Sequence, residues 1–348
     1  MPKVMVAMSG GVDSSVAAAL LLEQGYSVCG GTLRLYEKDG ISPEVKKAES
    51  VCKRLGIPHF VFDMRELFLD KVIKKFAAEY DLGLTPNPCI ECNIHLKFGA
   101  LLQKAMELGC DFLATGHYCK VEERQGELAL IRPADRKKDQ TYVLWHLTEP
   151  QLSHILMPLG SVTKEQVREI ALSYGFESAN AKDSQDICFV PDGDYVSFLE
   201  KYNGKKFVGG KYIDVSGKAL GEHLGHQCYT VGQRKGLGIA LGCPQFVVSK
   251  NADDNTVVLS PDEKILFKTK VFIRDASLMS GAFPKEPFGC TAKLRYSAPD
   301  TECIVYPRED KTAVIEFVSP VRAPSPGQSA VFYNGDTVLG GGIIVKGE

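Results

Sequence analysis

The N-terminus of the chain places a glycine- and serine-rich loop directly between a predicted strand and a predicted helix. The apolar run Lys3 to Met8 is typical of a buried parallel strand, and it leads through residues 9–15 (SGGVDSS) into the helical run Val16 to Glu23. Glycines let a backbone approach a ligand closely, and the positive end of a helix dipole attracts anions. This order of elements predicts a phosphate site, and the absence of a GKS or GKT ending separates the loop from a Walker motif.

The first 200 residues favour a doubly wound parallel sheet, because predicted strands alternate with helices there. A capping box of Thr163 and Gln166 predicts a helix from Thr163 to Tyr174. Cys119 to Arg132 is expected to form a hairpin that turns near Gln125-Gly126 and extends this sheet as an antiparallel addition. The parallel strands are expected at Lys3–Met8, Ser27–Leu35, His59–Asp63 and Phe112–Thr115.

The sequence after Tyr202 consists of short β-prone runs separated by Gly, Pro, Asn and Asp. We predict an N-terminal catalytic domain at residues 1–202, a small β-rich central domain at 203–269 and a third domain at 270–348. The runs of the third domain are spaced like the strands of a small closed β-barrel, namely Val271–Arg274, Thr291–Tyr296, Cys303–Tyr306, Ala313–Phe317, Ser329–Tyr333 and Thr337–Val345.

Composition favours a cytoplasmic protein with reduced thiols. No apolar run reaches the roughly 20 residues of a membrane span, and the first residues enter a strand where a secretory leader would have a cleavable apolar segment. The 11 cysteines are scattered and odd in number, which does not suit a disulfide framework. The net charge is only -2, so a polyanionic partner must be held by local basic patches such as residues 132–138 and Arg234-Lys235.

Two loops contain cysteines in settings that suit chemistry. Prolines stiffen the segment Thr85 to Asn93, and Cys92 is predicted just before a helix from Ile94 to Leu108, where the helix dipole favours a thiolate. In the segment Lys182 to Val190, Cys188 lies in a polar loop that turns into an apolar run. Taken alone, a cysteine like Cys188 is more often a buried packing residue than a reactive one.

Together these segments make the chain resemble the tRNA-specific 2-thiouridylase family over essentially its whole length. The first loop is similar to the pyrophosphatase loop of enzymes that cleave ATP between its α and β phosphates. The shared motifs occur in family order, namely SGGVDSS, NPxxxCN with KF (Asn87–Asn93, Lys97-Phe98), TGHY (115–118), KDQ (138–140), DSxxICF (183–189), GQRKGLG (232–238), RY (295–296) and PGQSAVFYNGDTVLGGGII (326–344). The resemblance implies an α/β fold with an N-terminal PP-loop ATP pyrophosphatase domain of the adenine nucleotide alpha hydrolase-like type, followed by a β-rich central domain and a C-terminal β-barrel.

The resemblance further implies a tRNA-uridine 2-sulfurtransferase that uses ATP and Mg²⁺. Such an enzyme adenylates the C2 oxygen of the wobble uridine and replaces that oxygen with sulfur, releasing AMP and pyrophosphate. Cys188 would carry the sulfur as a persulfide, delivered by a cysteine desulfurase or a sulfur-relay protein. Cys92 would be the nucleophile that releases this sulfur and closes a Cys92–Cys188 disulfide, and Asp13 would act in the ATP-dependent step.

The family pattern also assigns binding residues. Those for ATP are Ala7, Met8, Ser9, Gly10, Gly11, Val12, Asp13, Ser14, Leu33 and Gly116. Those for the anticodon loop of tRNA are Asn87, Pro88, Cys89, His117, Lys138, Asp139, Gln140, Arg295, Tyr296 and Gln328, of which the first three would line the flipped base. These types suit RNA, because Lys and Arg bind phosphates, amides read base edges and Tyr stacks on bases.

Cys89 departs from the commoner family pattern, which has an aspartate three residues before the nucleophile. The acid/base role of that aspartate is therefore open in this chain. Three thiolates from Cys89, Cys92 and Cys188 could hold a 4Fe-4S cluster whose free iron binds hydrosulfide; a redox-active dithiol or a fortuitous third thiol would equally explain the CxxC. A non-catalytic iron-sulfur protein that binds tRNA and nucleotide is a further alternative, which the intact ATP loop disfavours.

Overall fold

The computed structural model describes residues 1–36, 42–124, 126–180, 187–190 and 193–347. Its strands are β1 (Lys3–Ala7), β2 (Ser27–Arg34), β3 (His59–Asp63), β4 (Phe112–Ala114), β5 (Lys120–Arg124), β6 (Glu127–Ile131), β7 (Ile155–Leu156), β8 (Gly210–Ile213), β9 (Ala219–His223), β10 (Phe246–Asn251), β11 (Thr256–Ser260), β12 (Phe267–Leu278), β13 (Phe288–Lys293), β14 (Thr301–Pro307), β15 (Ala313–Arg322), β16 (Ser329–Asn334) and β17 (Thr337–Ile344).

The α-helices are α1 (Val12–Glu23), α2 (Pro43–Leu55), α3 (Arg65–Phe68), α4 (Lys74–Asp81), α5 (Pro88–Cys92), α6 (Leu102–Glu107), α7 (Glu149–Leu152), α8 (Lys164–Ser173) and α9 (Tyr195–Asn203). Two π-helical segments, Leu69–Ile73 and Asn93–Leu101, connect α3 to α4 and α5 to α6. Short 3₁₀ turns occur at Arg136–Lys138, Thr141–Val143, Pro158–Ser161, Glu177–Asn180, His226–Cys228, Glu263–Leu266 and Glu309–Lys311. Within the described ranges, no helix is both long and apolar enough to cross a membrane.

The N-terminal domain is built on a parallel sheet with the strand order β3-β2-β1-β4-β7. The central strand β1 is fully buried at Val4, Met5 and Val6 because helices cover both faces of the sheet. The chain adds β2 and β3 on one side of β1 and then crosses to place β4 on the other side. Ligands of doubly wound folds bind at such a reversal, beyond the carboxyl ends of the strands.

Local sequence signals set both ends of α8, the helix whose first residue lies at the site described below. Thr163 caps α8 as predicted: its backbone N–H donates to Gln166 Oε1 at 2.8 Å, and its Oγ1 accepts from Gln166 N at 3.3 Å. Gly175 follows the helix with φ of 65°. The capping box therefore confirms the predicted helix and fixes Lys164 as its first residue.

The central domain is a smaller sheet with the order β10-β11-β8-β9, in which only the β11–β8 pair is parallel among the described pairings. Tyr212, Val247, Val257 and Leu259 are completely buried in its core. Tyr212 satisfies its hydroxyl in that core by donating to Leu237 O at 2.6 Å. The boundaries that we propose near residues 203 and 270 lie at the end of α9 and inside β12.

The C-terminal domain is a closed barrel, as predicted. Its strands follow the order β12-β15-β14-β13-β16-β17, and β12 pairs with β17 to close the cylinder. The interior is filled by alternating apolar residues, among them Val305, Ile315, Ala330 and Phe332, all completely buried. Closure pairs each of these six strands on both sides, and β17 additionally receives a strand of the first domain.

The β5–β6 hairpin exists, but our prediction of its place was wrong. It joins the barrel, not the parallel sheet, because Thr337 of β17 pairs with Ile131 of β6. Arg132 explains this preference: its guanidinium lies 3.8 Å above the Tyr333 ring and pairs with Asp300 at 2.8 Å. The predicted turn at Gln125 lies outside the described residues, whereas Gly126 follows it with φ of 86°.

A buried lysine connects the central and N-terminal domains. Lys250 of β10 donates from Nζ to Tyr229 O at 2.7 Å, and Leu84 O of the first domain lies 3.5 Å from the same nitrogen. The Tyr80 ring of α4 lies 5.9 Å away. Burial lowers the pKa of Lys250 from 10.5 to about 8.

This lysine makes a pH-dependent contribution to stability that replacement by methionine should remove. Between pH 8 and 10.5 the folded protein has released the Lys250 proton while the unfolded chain still holds it, so stability gains with rising pH. We expect the melting temperature of the natural chain, relative to Lys250→Met, to rise across this window and to be flat below it. Thermal melts from pH 7 to 10 measure this difference. A difference that does not change with pH would contradict the assignment, and Lys104→Met, at an exposed lysine, serves as the control variant.

Candidate active site

The residues assigned to ATP meet at the carboxyl edge of the parallel sheet. Residues 7–14 follow β1, Leu33 lies near the end of β2, and Gly116 follows β4. Since β2 and β4 are the two neighbours of β1, these three segments are adjacent in space. The reversal of strand order also falls between β1 and β4, which places the loop where doubly wound folds bind their ligands.

The loop before α1 has the shape of an anion site. Gly10 has φ of 73°, and a Cβ there would lie 2.6 Å from Lys47 Cβ and 2.9 Å from Glu44 O of α2. Gly11 is the N-cap of α1 and supplies no side chain to its first turn. The helix therefore keeps N–H groups available for a negatively charged ligand. Ser15 Oγ donates to Gly11 O at 2.8 Å and so stabilises the loop.

Asp13 is held by two donors at the start of α1. Lys164 Nζ donates to Asp13 Oδ1 at 2.7 Å, and the Tyr118 hydroxyl donates to the same oxygen at 2.8 Å. The Lys164 side chain is 8% exposed and the Asp13 side chain 35%. Sequence reasoning missed Lys164: the capping box located the start of α8, but it carried no signal that the first residue of the helix reaches the loop.

The Thr115–Tyr118 segment contacts the phosphate loop on one side and the cysteine helix on the other. A Cβ on Gly116 would lie 2.8 Å from both Asp13 C and Ser14 N, so this backbone packs directly on α1. The next residue, His117, is buried and contacts Lys97 across 3.5 Å between Nε2 and Nζ. Burial, with the Lys97 charge, holds the pKa of His117 well below its usual range. His117 is thus a neutral imidazole, whose Nδ1 lies 2.7 Å from Thr115 Oγ1.

The helix that carries Cys92 begins earlier than predicted. Asn87 is its N-cap, accepting from Cys89 N at 3.2 Å, and Pro88 is its first residue. Cys92 therefore lies inside the helix, not before it, and its side chain is buried. Burial raises the pKa of the Cys92 thiol, Lys97 opposes this, and Cys89 adds to it. The expected thiolate-favouring N-terminal position belongs instead to Cys89, although burial raises the pKa of that thiol as well.

A π-helix brings Lys97 round towards the cysteines. Lys97 is five residues after Cys92. In an α-helix, with about 3.6 residues per turn, such residues point to different faces. The wider π turn over Asn93–Leu101 brings them closer to one face. Gly99 permits this wide turn, because a Cβ would lie 2.7 Å from Ile94 O. The Lys97 charge opposes the raised pKa of Cys89, Cys92 and Cys188 alike. Sequence reasoning found Lys97 in a motif but gave it no role.

Cys188 is exposed at a short turn fixed by its neighbour. Val190 N donates to Ile187 O at 2.9 Å, and the Phe189 ring packs edge-on against Phe68 and Phe76, with centroids 5.4 Å away in each case. Cys188 is exposed, yet the surrounding protein raises the pKa of its thiol to about 12, with contributions from Cys92 and Cys89. These contributions place the three thiols in one region. Residues 183–186 of the motif lie outside the described residues.

The described residues contain no group of three His, Cys, Asp or Glu side chains close enough together to hold one metal ion. Cys89, Cys92 and Cys188 are near neighbours, but their arrangement does not form a ligand set. The structure therefore gives no support to the cluster alternative.

Most residues assigned to tRNA make hydrogen bonds inside the protein. Asp139 Oδ1 accepts from Thr141 N at 2.9 Å, and Gln140 Oε1 accepts from Tyr118 N at 2.9 Å. Arg295 donates to Val231 O of the central domain at 2.8 Å and to Ala323 O of the barrel at 3.0 Å. Gln328 Nε2 donates to Thr85 O at 2.7 Å, directly before the cysteine helix. These four side chains fix the walls of the site.

Among the residues assigned to tRNA, Tyr296 and Cys89 are exposed to solvent, and Lys138 is half-buried. Burial raises the pKa of Tyr296, and both Asp139 and Cys89 add to the shift. Lys293 Nζ lies 5.7 Å from the same ring. An aromatic face with a cation beside it suits a stacked RNA base.

Comparisons with known proteins cover the whole chain. The family model described as the tRNA methyl transferase HUP domain matches residues 2–192, the PRC-barrel domain of that name matches 196–261, and the aminomethyltransferase beta-barrel domain matches 268–344. The tRNA-specific 2-thiouridylase MnmA of Carboxydothermus hydrogenoformans is 48% identical over 99% of this chain and 98% of its own. That of Acetivibrio thermocellus is 46% identical over 98% of this chain and 99% of its own.

A solved structure aligns with part of the chain. The U34-tRNA thiolase NcsA from Methanococcus maripaludis with its [4Fe-4S] cluster aligns with 58% of this chain and 67% of its own, at 21% identity and a TM-score of 0.35. This similarity is too low to support a functional argument.

The contact between Gly116 and α1 can be tested with a single methyl group. In Gly116→Ala the new Cβ would meet backbone atoms at 2.8 Å, which have no freedom to move aside. Overpacking of this kind costs about 1–3 kcal/mol. Because relief of this clash must displace the loop backbone at Asp13 and Ser14, which would bind the nucleotide, we expect ATP to bind about 5- to 150-fold more weakly. Calorimetric titration with ATP measures the change. Gly289→Ala, with nothing within 4 Å of its Cβ, is the control; equal ATP affinity in both variants would contradict this interpretation.

Proposed function

The chain belongs to the family of tRNA-specific 2-thiouridylases, and from this membership we propose how its residues make 2-thiouridine. It is a tRNA-uridine 2-sulfurtransferase that uses ATP. We propose that the loop at residues 7–14 binds the nucleotide, that Cys188 carries the sulfur, and that Cys92 resolves the intermediate.

The proposal depends above all on the short Thr115–Tyr118 segment. Gly116 packs against the phosphate loop, Tyr118 holds Asp13, and His117 contacts Lys97 beside the cysteines. Two reaction centres separated by one rigid segment suit two steps on one base. A flipped uracil could present its C2 to both centres without leaving the protein.

The first step is activation of the base. A lone pair of the uracil C2 oxygen forms a bond to the α-phosphorus of ATP, the bond to the bridging oxygen breaks, and its electron pair leaves with pyrophosphate. The N3 proton passes to solvent, which leaves a neutral O-adenylated base. The open N–H groups of α1 bind the phosphates. Mg²⁺ prefers oxygen ligands, so Asp13 is the residue of this loop that fits it; the ion would neutralise phosphate charge.

The second step transfers sulfur. The outer sulfur of a Cys188 persulfide attacks C2, and the C2–O bond breaks with AMP as the leaving group. The Cys92 thiolate then attacks Cys188 Sγ, and the electron pair of the broken S–S bond stays with the sulfur now attached to C2. The product is 2-thiouridine together with a Cys92–Cys188 disulfide that a thiol reductant must reopen. The surrounding protein raises the pKa of both thiols, and the Lys97 charge opposes this rise and favours both thiolates.

The partners follow from this chemistry. The anticodon loop of tRNA would cover Tyr296, Lys138 and Cys89, with the wobble uracil between Tyr296 and the cysteine helix. The exposed turn at Cys188 would receive sulfur from a cysteine desulfurase or a relay protein, since solvent reaches it from outside. A reducing compartment that contains tRNA and ATP, the cytoplasm, suits such a cycle.

Separate loss of the two steps is the central expectation for the cysteines. In Cys188→Ser we expect no 2-thiouridine in the tRNA, whereas tRNA affinity and the pyrophosphate release that accompanies adenylation stay near those of the natural chain. AMP should stay bonded to the base, because no sulfur displaces it. Cys89→Ser should reduce activity mildly, because the persulfide route needs only Cys92 and Cys188. Nucleoside mass spectrometry with a desulfurase, reductant and iron-free protein measures this.

Cys243→Ser replaces another exposed free thiol and serves as the control. Normal 2-thiouridine formation by Cys188→Ser would refute the persulfide assignment. Loss of activity in iron-free protein, restored by anaerobic loading with iron and sulfide, would instead support the cluster route.

A further inference from the structure

Lys164 is a buried cation at the phosphate loop that none of the motifs explains. Its side chain is 8% exposed, and its ammonium lies 2.7 Å from Asp13 Oδ1 and 5.7 Å from the Tyr118 ring. Its backbone is fixed as well: Lys164 N donates to Asp135 Oδ2 at 3.1 Å, and Thr163 caps the helix. The protein therefore carries this charge into the site on the rigid start of α8.

The position of this charge suits the leaving group of the first step. Asp13 belongs to the first turn of α1, where the helix N-terminus would receive the phosphates. A carboxylate alone would repel a polyphosphate, and the Lys164 ammonium cancels that repulsion. Because this ammonium is shielded from solvent, its attraction to an incoming anion is screened less than that of a surface lysine.

We propose that Lys164 is a pyrophosphate-binding residue, which neutralises Asp13 before ATP binds and contacts the β-phosphate oxygens as they gain charge. This inference rests on the proposed function and names a residue for its first step. When the α-phosphorus bond to the bridging oxygen breaks, that oxygen takes the electron pair, and Lys164 stabilises the added negative charge. No proton needs to move, because the lysine acts as a cation throughout.

Pyrophosphate and AMP distinguish this role from a structural one. Calorimetric titration of the full chain with magnesium pyrophosphate should show binding that falls about 10- to 100-fold in Lys164→Met, the range of a charge-assisted hydrogen bond. Binding of AMP should change less than twofold. Lys164→Gln, which removes the charge but keeps a polar N–H donor on a slightly shorter side chain, should behave like Lys164→Met, and Lys164→Arg should retain most of the affinity.

Two controls exclude indirect effects. Lys104→Met removes an exposed lysine paired with Glu107 and should leave both affinities unchanged. Tyr118→Phe removes the second hydrogen bond to Asp13 without altering charge, so its loss of pyrophosphate affinity should be much smaller than that of Lys164→Gln. Melting temperatures identify a variant that fails to fold. If Lys164→Met fails, the comparison of pyrophosphate affinity between Lys164→Gln and Lys164→Arg tests the proposal.

Equal pyrophosphate affinity in the natural chain and Lys164→Gln would overturn the proposal, as would an equal loss in Tyr118→Phe. No measurable pyrophosphate binding by the natural chain would overturn it too. A chain that binds pyrophosphate through Lys164 and releases AMP, yet makes no 2-thiouridine, would support this inference while refuting the proposed function.

Discussion

The active site depends on a contact between the N-terminal domain and the C-terminal barrel. Thr85 N donates to Pro326 O at 2.8 Å, and Gln328 Nε2 donates to Thr85 O at 2.7 Å. Gly327 allows this approach, since a Cβ there would lie 2.8 Å from Thr85 N. The loop that leads into the cysteine helix is therefore held by the barrel. The barrel thus adds a second contact that positions the cysteine helix, besides the contact of Lys97 with His117.

The same dependence explains the place of the hairpin and of the polar residues around it. The β5–β6 hairpin extends the barrel sheet through β17, and Arg132 is wedged against Tyr333 and paired with Asp300. Asp139, at 3.6 Å from Arg132, belongs to the KDQ segment, and its Oδ1 accepts from Thr141 N in the turn that follows. These buried charges are expensive unless paired, which is why they occur as a connected network. The pairing offsets the free-energy cost of burying these charges, and the network holds this wall of the site in place without a ligand.

The sequence predicted the fold where its signals were local. Strand periodicity, the capping box at Thr163 and the glycine spacing of the loop are properties of neighbouring residues, and the structure reproduces the elements that they indicate. It failed where long-range contacts decide. The local sequence of the hairpin fits either sheet. The contact of Arg132 with Asp300, 168 residues away in sequence, favours the barrel. The start of the cysteine helix was misplaced because Asn87 and Pro88 resemble loop residues, although they are also a normal N-cap and first position.

The two lysines of the site illustrate a further limit. Lys164 is 151 residues from Asp13 in sequence and Lys97 is 20 residues from His117, and a lysine on a helix is ordinarily a solvated side chain. Only packing shows that one is buried at the phosphate loop and that a π-helix turns the other towards three thiols. By contrast, the roles of Gly116 and Cys188 were predicted from family motifs in the sequence, and they stay predictions.

Oxygen tracing tests the central claim, that the C2 oxygen of the uracil attacks ATP before sulfur enters. The substrate would be tRNA whose wobble uridine carries ¹⁸O at C2, treated with the purified chain, ATP, magnesium, a desulfurase and reductant. Mass spectrometry of the nucleotide products should find one ¹⁸O in AMP for each 2-thiouridine formed, and none in pyrophosphate. AMP without the label, alongside normal 2-thiouridine formation, would contradict the account, because sulfur would then replace oxygen without an adenylated intermediate.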